Sequence, residues 1–289
     1  MSGISRRDFL QAGSATTLLA LTGSDRLGAA PLRQPLGLQL YSVRNLLPKD
    51  FEGTLQLLSA AGYKEVEAAG YYDKTAADFG NAMQKAGLRC VSTHHPLGVL
   101  RPQLEQLIEY GQALGLEYII CSSAGGVHRD PTVKTGELTL DDYRWIAGEF
   151  NKIGEKVKAA GMTFGYHNHG PEFIVESGVM PYDELLRLTD PKLVVFELDC
   201  GWISAAGHSA MSYISKAPER FPLLHVKDMV KGSTGQYHST VLGHGVVDYR
   251  PILQAATGLK HYFVEQEEFA GDVMTELNED AEYMRKLDI

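Results

Sequence analysis

Apolar residues along this chain follow two alternating rhythms. In one, hydrophobic positions fall three and four apart until a Gly or Pro interrupts them; in the other, a short run places a bulky apolar residue at every second position. The first is the pattern of an amphipathic helix, the second that of a strand with two distinct faces. Their junction recurs as Ala61-Gly62-Tyr63-Lys64-Glu65-Val66-Glu67, Ala86-Gly87-Leu88-Arg89-Cys90-Val91-Ser92, Leu114-Gly115-Leu116-Glu117-Tyr118-Ile119-Ile120 and Ala160-Gly161-Met162-Thr163-Phe164-Gly165-Tyr166. Glycine there ends a helix in the left-handed conformation before the chain enters the next strand. Later units keep the layout with other punctuation: Thr189-Asp190-Pro191, Phe221-Pro222 and Thr257-Gly258 each precede an apolar run.

The pattern predicts eight strands, over residues 36–41, 65–69, 89–93, 118–121, 163–167, 193–198, 223–227 and 260–265. Helices fill the intervals, over 51–61, 75–86, 100–114, 140–160, 182–189, 210–217, 249–256 and 273–287. Strict β, α alternation with strands rich in Val, Ile and Leu implies a parallel sheet covered by helices. Eight such units in about 250 residues match an α/β fold of the (β/α)8 TIM barrel type, a single domain over residues 31–289. An open doubly wound sheet would carry a glycine-rich phosphate turn after its first strand, and Tyr41-Ser42-Val43-Arg44-Asn45 stands there instead. The longest connections, 122–139 and 228–248, follow strands and so belong to the rim where barrel enzymes keep their sites.

Strand parity then selects the chemistry. Phe164 and Tyr166 share the face toward the helices, whereas Thr163, Gly165, His167 and His169 face inward. The same rule turns Val195, Glu197 and Asp199 inward on the sixth strand, Leu223, His225 and Lys227 on the seventh, and His261, Phe263 and Glu265 on the eighth. His167, Asp199, His225 and Glu265 therefore stand at equivalent heights on consecutive strands about 4.8 Å apart, close enough to share one ion. Any one of them alone reads as a hydrogen-bonded loop anchor. Together, two imidazoles and two carboxylates suit a divalent cation, with Mn, Co, Fe or Zn favoured over Mg.

Residues 1–30 follow neither rhythm. Ser5-Arg6-Arg7-Asp8-Phe9-Leu10 precedes a mildly apolar run from Ala12 to Leu21, and the segment closes at Gly28-Ala29-Ala30. This resembles a twin-arginine export signal, and its apolar run falls short of the about 20 residues that span a bilayer. The expectation is an exported, periplasmic protein with no membrane association beyond export. The formal charge of −9 and the lack of a basic stripe argue against a nucleic-acid partner. Cys90, Cys121 and Cys200 lie in or beside predicted strands and read as small buried hydrophobes, with a Cys90 to Cys121 bridge as the alternative.

Several stretches carry a family likeness: Gly37-Leu38-Gln39-Leu40-Tyr41-Ser42-Val43-Arg44, Val66-Glu67, Glu197-Leu198-Asp199-Cys200-Gly201-Trp202 and His225-Val226-Lys227-Asp228. Leu242-Gly243-His244-Gly245-Val246-Val247-Asp248-Tyr249 and Phe263-Val264-Glu265-Gln266 complete the set. From about residue 36 onward the chain resembles the xylose isomerase-like barrel superfamily, the sugar isomerase/epimerase group. The resemblance implies Glu265 as a base at the metal and His94, at the end of the third strand, as a substrate contact. It also exposes a departure, because epimerases of this group carry a Glu at the end of the fifth strand as ligand and second base. His167 stands there, with His169 and Glu172 as rival ligands.

Lys227 is read as an anion stabiliser or acid, or else as a salt-bridge partner of Asp199 or Glu67; His169 is a further catalytic candidate. Glu67 would contact substrate or orient a ligand, and Tyr41 and Trp202 would stack on a sugar face or close the barrel top. The expected function is metal-dependent isomerisation or epimerisation of an unphosphorylated sugar or keto-sugar through an enediolate. The alternative is a lyase or dehydratase acting on a keto-sugar or 3-keto-glycoside, since elimination requires only one α-proton abstraction. A non-catalytic sugar-binding barrel is the third reading.

Overall fold

Gly62 ends the first helix in the left-handed conformation (φ 102°), where its N–H reaches back to the carbonyls of Leu58 and Ser59 and the chain turns directly toward the next strand. Comparable exchanges of helix for strand recur around the molecule. The computed structural model describes residues 32–133 and 135–289. The leader expected over residues 1–30 lies outside the described residues.

In chain order the strands are β1 (Gly37–Gln39), β2 (Glu65–Ala68), β3 (Arg89–His95), β4 (Tyr118–Cys121), β5 (Thr163–His167), β6 (Val194–Asp199), β7 (Leu223–Val226), β8 (Asp228–Lys231), β9 (Tyr237–Thr240) and β10 (His261–Val264). The helices are α1 (Phe51–Ala61), α2 (Ala76–Ala86), α3 (Leu97–Leu114), α4 (Leu140–Ala159), α5 (Pro181–Leu188), α6 (Cys200–Ala205), α7 (Ala210–Lys216), α8 (Tyr249–Ala255) and α9 (Val273–Lys286). Strands β1 to β7 pair in sequence and β10 closes the ring between β7 and β1, giving one parallel eight-stranded barrel. The fold is the single TIM barrel that the alternation predicts.

Parity holds along the strands. Phe164, Tyr166, Val194, Phe196, Leu198, Leu224 and Val226 pack into the layer between barrel and helices. Val91, Tyr118, Ile120, Leu223 and Phe263, with Val195 against them, plug the interior. Gly165 belongs to that inner layer, and a Cβ there would lie 2.7 Å from Ile120 Cδ1. Only glycine leaves the layer its room.

Beneath the plug, His261 faces inward but at the opposite end from the rim. Its Nδ1 is 2.7 Å from Glu65 Oε2 and its Nε2 is 3.3 Å from Glu117 Oε2, while Arg89 bonds both carboxylates. These charges close the bottom of the barrel and do not reach the site.

The structure differs locally from the predicted pattern in four places. The first strand stops at Gln39 because its side chain accepts from Tyr41 N–H and starts a 3-10 turn over Leu40–Val43. Helix α3 begins at Leu97, earlier than expected, and runs through Pro102. Helix α6 forms directly after β6, capped by Asp199, whose Oδ1 accepts from Trp202 N–H at 2.7 Å. The long 228–248 connection contains the antiparallel β8–β9 hairpin. All three cysteines are buried and free, so the alternative bridge between Cys90 and Cys121 is not formed.

Helix α9 supplies a pH-sensitive contact. Asp280 is buried, accepts from Leu242 N–H at 2.8 Å through Oδ1, and its Oδ2 has no hydrogen-bond partner among the described residues. Burial, reinforced by Glu276, Glu279 and Asp228, holds its carboxyl up at about 7. Between the unfolded value of about 3.9 and that figure, the folded protein keeps a proton the unfolded chain has released, so stability falls as pH rises through this window. The contribution approaches about 1.4 kcal/mol per pH unit. Asp280→Asn retains the acceptor without the charge and is expected to flatten the fall in melting temperature between about pH 4 and 7. Parallel profiles for the two proteins would refute this.

Candidate metal centre

Four strand ends deliver the predicted donors to one place. His167, Asp199, His225 and Glu265 each offer one ligand atom, and these atoms lie within 4.8 Å of one another, all buried. Asp199 is fixed from two sides: its N–H donates to Asn168 Oδ1 at 3.0 Å, and its Oδ1 serves as the cap of α6. That division of labour leaves Oδ2 turned to the cluster, buried and outside hydrogen-bond geometry. His225 is held between Glu265 Oε2 (2.8 Å from Nδ1) and Glu67 Oε1 (2.8 Å from Nε2). A buried carboxylate oxygen turned to two imidazoles and a second carboxylate is part of a donor set that fits a divalent cation.

Lys227 lies beside this set, with Nζ 2.9 Å from Asp199 Oδ2, 2.8 Å from Glu265 Oε2 and 2.5 Å from Glu267 Oε1. Burial works against its charge, but the three carboxylates outweigh it and hold the ammonium well above the usual lysine range. Burial likewise favours a protonated Glu265, yet Lys227 and His225 keep it well below the usual carboxylate range. Asp199 is raised, chiefly by burial. His167 is pushed well below the ordinary imidazole value by burial and then by neighbouring His225, His169 and His94.

The other residues singled out from sequence separate into two groups. Tyr41, His94, His167, His169 and Glu265 line an open chamber of about 400 Å³ above the cluster, together with His95, Ser123 and Glu267. Trp202 lines a neighbouring chamber of about 600 Å³ with Leu138, Tyr143, Ile174 and Val175, and His169 and Ser123 form part of both walls. Lys227 and Glu67 line neither. Glu67 sits behind the imidazoles, accepting from Gln39 Nε2 at 2.7 Å and from Ser92 Oγ while it contacts His225. Its placement matches the orienting role rather than substrate contact.

The rivalry at the fifth strand is also resolved in space. Glu172 accepts from Tyr166 OH and from His169 N–H, which anchors the turn after β5. Among the described residues, the fifth-strand donor in the cluster is His167. His169 instead turns its ring to the chamber wall, edge-on to His167 and tilted against Trp202, and makes no side-chain hydrogen bond among the described residues. Burial and then the charge on Lys227 bring its pKa down to about 4.

Two participants carry no assigned role in the sequence pattern. Glu197 is inward by parity, but three imidazoles surround it; burial raises its carboxyl, and His225 and His94 override that to hold it at about 2. Asn168 faces the next strand and clips Asp199 in place through both its amide atoms. Parity places Glu197 inward but not among imidazoles; nothing local marks Asn168.

Comparison with known proteins gives consistent relatives. A family model described as xylose isomerase-like TIM barrel matches residues 55–287. An inosose dehydratase of Lacticaseibacillus casei is 21% identical over 71% of this chain and 77% of its own length. A sugar phosphate isomerase/epimerase structure from Parabacteroides distasonis superposes with a TM-score of 0.73 at 26% identity, covering 88% of this chain and 98% of that one. The structure of the IOLI protein with a binding zinc atom has a TM-score of 0.65 at 14% identity, over 88% and 95% of the two chains.

Proposed function

This chain belongs to the xylose isomerase-like TIM barrel family, and from that premise we propose that it is a divalent-metal-dependent lyase that eliminates water or a glycosyl substituent from an unphosphorylated keto-sugar or 3-keto-glycoside. The observation that carries this reading is the position of His169, whose ring lies on the wall common to both chambers. Both carboxylates lining the first chamber, Glu265 and Glu267, come from the segment after β10, and no carboxylate faces them from the fifth strand. Inversion at carbon by two opposed glutamates has no counterpart in this arrangement. Elimination needs one group that takes the α-proton and returns it to the departing oxygen.

In this reading His169 removes the proton α to the carbonyl, the C–O bond at the adjacent carbon breaks as the double bond forms, and the same imidazole protonates the leaving oxygen. Lys227 keeps Glu265 ionised and pairs with Glu267, and Asn168 holds Asp199. His167, Asp199, His225 and Glu265 would hold the cation, which when bound polarises the substrate oxygen and offsets its developing negative charge. The second chamber, with Leu138, Trp202 and the exposed Ile174 and Val175 on its wall, suits an apolar substituent on the sugar. The dehydratase named among the relatives supports a lyase over the isomerase expected from sequence.

The test is a mass-resolved screen of keto-sugars and 3-keto-glycosides with the metal-loaded protein. Loss of water or of the glycosyl group is the expected result, and His169→Ala is expected to lower kcat by about 10²- to 10⁴-fold. Solvent deuterium uptake with the substrate mass otherwise retained would return the protein to isomerase or epimerase chemistry.

A further inference from the structure

Beside the chamber over the cluster lies a larger one. Granted the lyase reading, on which this rests, we propose that it seats the leaving group and selects an aryl 3-keto-glycoside with an uncharged aglycone. Its volume is about 600 Å³ against about 400 Å³ for its neighbour, and His169 and Ser123 stand on both walls. The two differ in lining. His94, His95, Ser122 and Glu267 offer hydrogen bonds in the first, which suits the hydroxyls of a sugar ring, whereas Leu138, Ile174, Val175 and Trp202 offer apolar surface in the second.

Single exposed apolar side chains are ordinary on a protein surface, but a set gathered around one cavity marks a binding groove. Ile174 and Val175 are 62% and 56% exposed, yet the segment that carries them is fixed at both ends. On one side Phe173 is buried against Tyr182. On the other, Glu176 and Val179 exchange both backbone hydrogen bonds at 2.9 Å around Ser177 and Gly178, each in the left-handed region. Glu176 Oε2 also accepts from Leu140 N–H at 2.7 Å, which ties this segment to the one carrying Leu138. Contacts within the chain thus shape the cavity in advance. The indole of Trp202, its ring centroid 5.9 Å from that of His169, continues the wall to the imidazole that moves the proton.

Charge narrows the class further. Glu137, Glu172 and Glu176 stand on the second wall, and among the described residues no Lys or Arg lines either chamber. A phosphate or carboxylate on the departing group would meet like charge with no cation to pair with it. A flat uncharged ring meets the indole and the aliphatic side chains instead. The chemistry favours the same class. The proton on carbon 2 passes to His169, the bond between carbon 1 and the glycosidic oxygen breaks as carbons 1 and 2 become doubly bonded, and the imidazole returns the proton to that oxygen. The released phenol ionises near the tyrosine value of about 10, so its oxygen departs more readily than that of an aliphatic alcohol.

Calorimetric binding of 4-nitrophenyl and methyl β-glucosides, which have no ketone and are not turned over, tests the seat by itself. The metal-loaded protein is expected to bind the nitrophenyl compound at least about tenfold more tightly than either the methyl compound or 4-carboxyphenyl β-glucoside. The preference over methyl is expected to fall below about threefold in Trp202→Ala and in the double variant Ile174→Ser, Val175→Ser, the latter confined to exposed positions. Equal binding of the three glucosides, or an undiminished preference in both variants, overturns the proposal. Turnover of the 3-keto counterparts separates the seat from the reaction. Elimination from the methyl and nitrophenyl compounds at equal kcat/KM keeps the lyase and removes the aryl selectivity, whereas no elimination from either sinks the lyase reading and the leaving-group role with it.

Discussion

Stripping the divalent cation from the purified protein is expected to lower lyase turnover by at least about 10³-fold, because a cation that stabilises transition-state charge contributes several kcal/mol and each 1.36 kcal/mol is a factor of ten. The chamber floor explains the size of the effect. Glu265 there is held ionised by Lys227 and His225, so it is not a free acid able to neutralise a developing oxyanion. Activity is expected to return with Mn²⁺, Co²⁺, Fe²⁺ or Zn²⁺ in preference to Mg²⁺, following the two imidazoles in the strand-end set. Elemental analysis paired with the turnover assay checks this. Full activity in protein shown to be metal-free would remove the cation from the reaction.

Lys227→Met in the metal-free protein is expected to cost about 3–5 kcal/mol of stability, because it removes one partner of a buried ion network and leaves the carboxylates of Asp199, Glu265 and Glu267 facing each other. Methionine keeps most of the side-chain length, so the loss reports charge more than volume. For a domain of this size the melting temperature is expected to fall by roughly 6–20 °C. Adding a divalent ion is expected to restore part of it, since the ion supplies positive charge to the same oxygens. Urea unfolding with and without metal measures both effects. A loss below about 1 kcal/mol in the metal-free protein would mean that Lys227 does not hold these carboxylates together.

Much of this arrangement was legible before any coordinates. The Ala-Gly junctions placed the αβ boundaries because a left-handed helix end is a local property of glycine. Period-2 alternation put Phe196 and Leu198 against the helices and Asp199 on the inner face, because a strand turns alternate side chains to opposite sides wherever it lies. The β8–β9 hairpin lies outside the strand–helix alternation: Gly232 and Gly235 bracket its turn, but the pattern marks the long connection only as rim.

What the chain order alone determined was the barrel, the inward face of each strand and the four strand-end donors, all of which follow from short-range periodicity. Tertiary structure decided the rest: that His167 rather than His169 or Glu172 joins the cluster, that Lys227 meets three carboxylates, and that Glu197 collects imidazoles from β3, β5 and β7. Those choices depend on the curvature that closes the sheet and on how one turn after β5 is anchored, and such distances are set by the whole ring of strands.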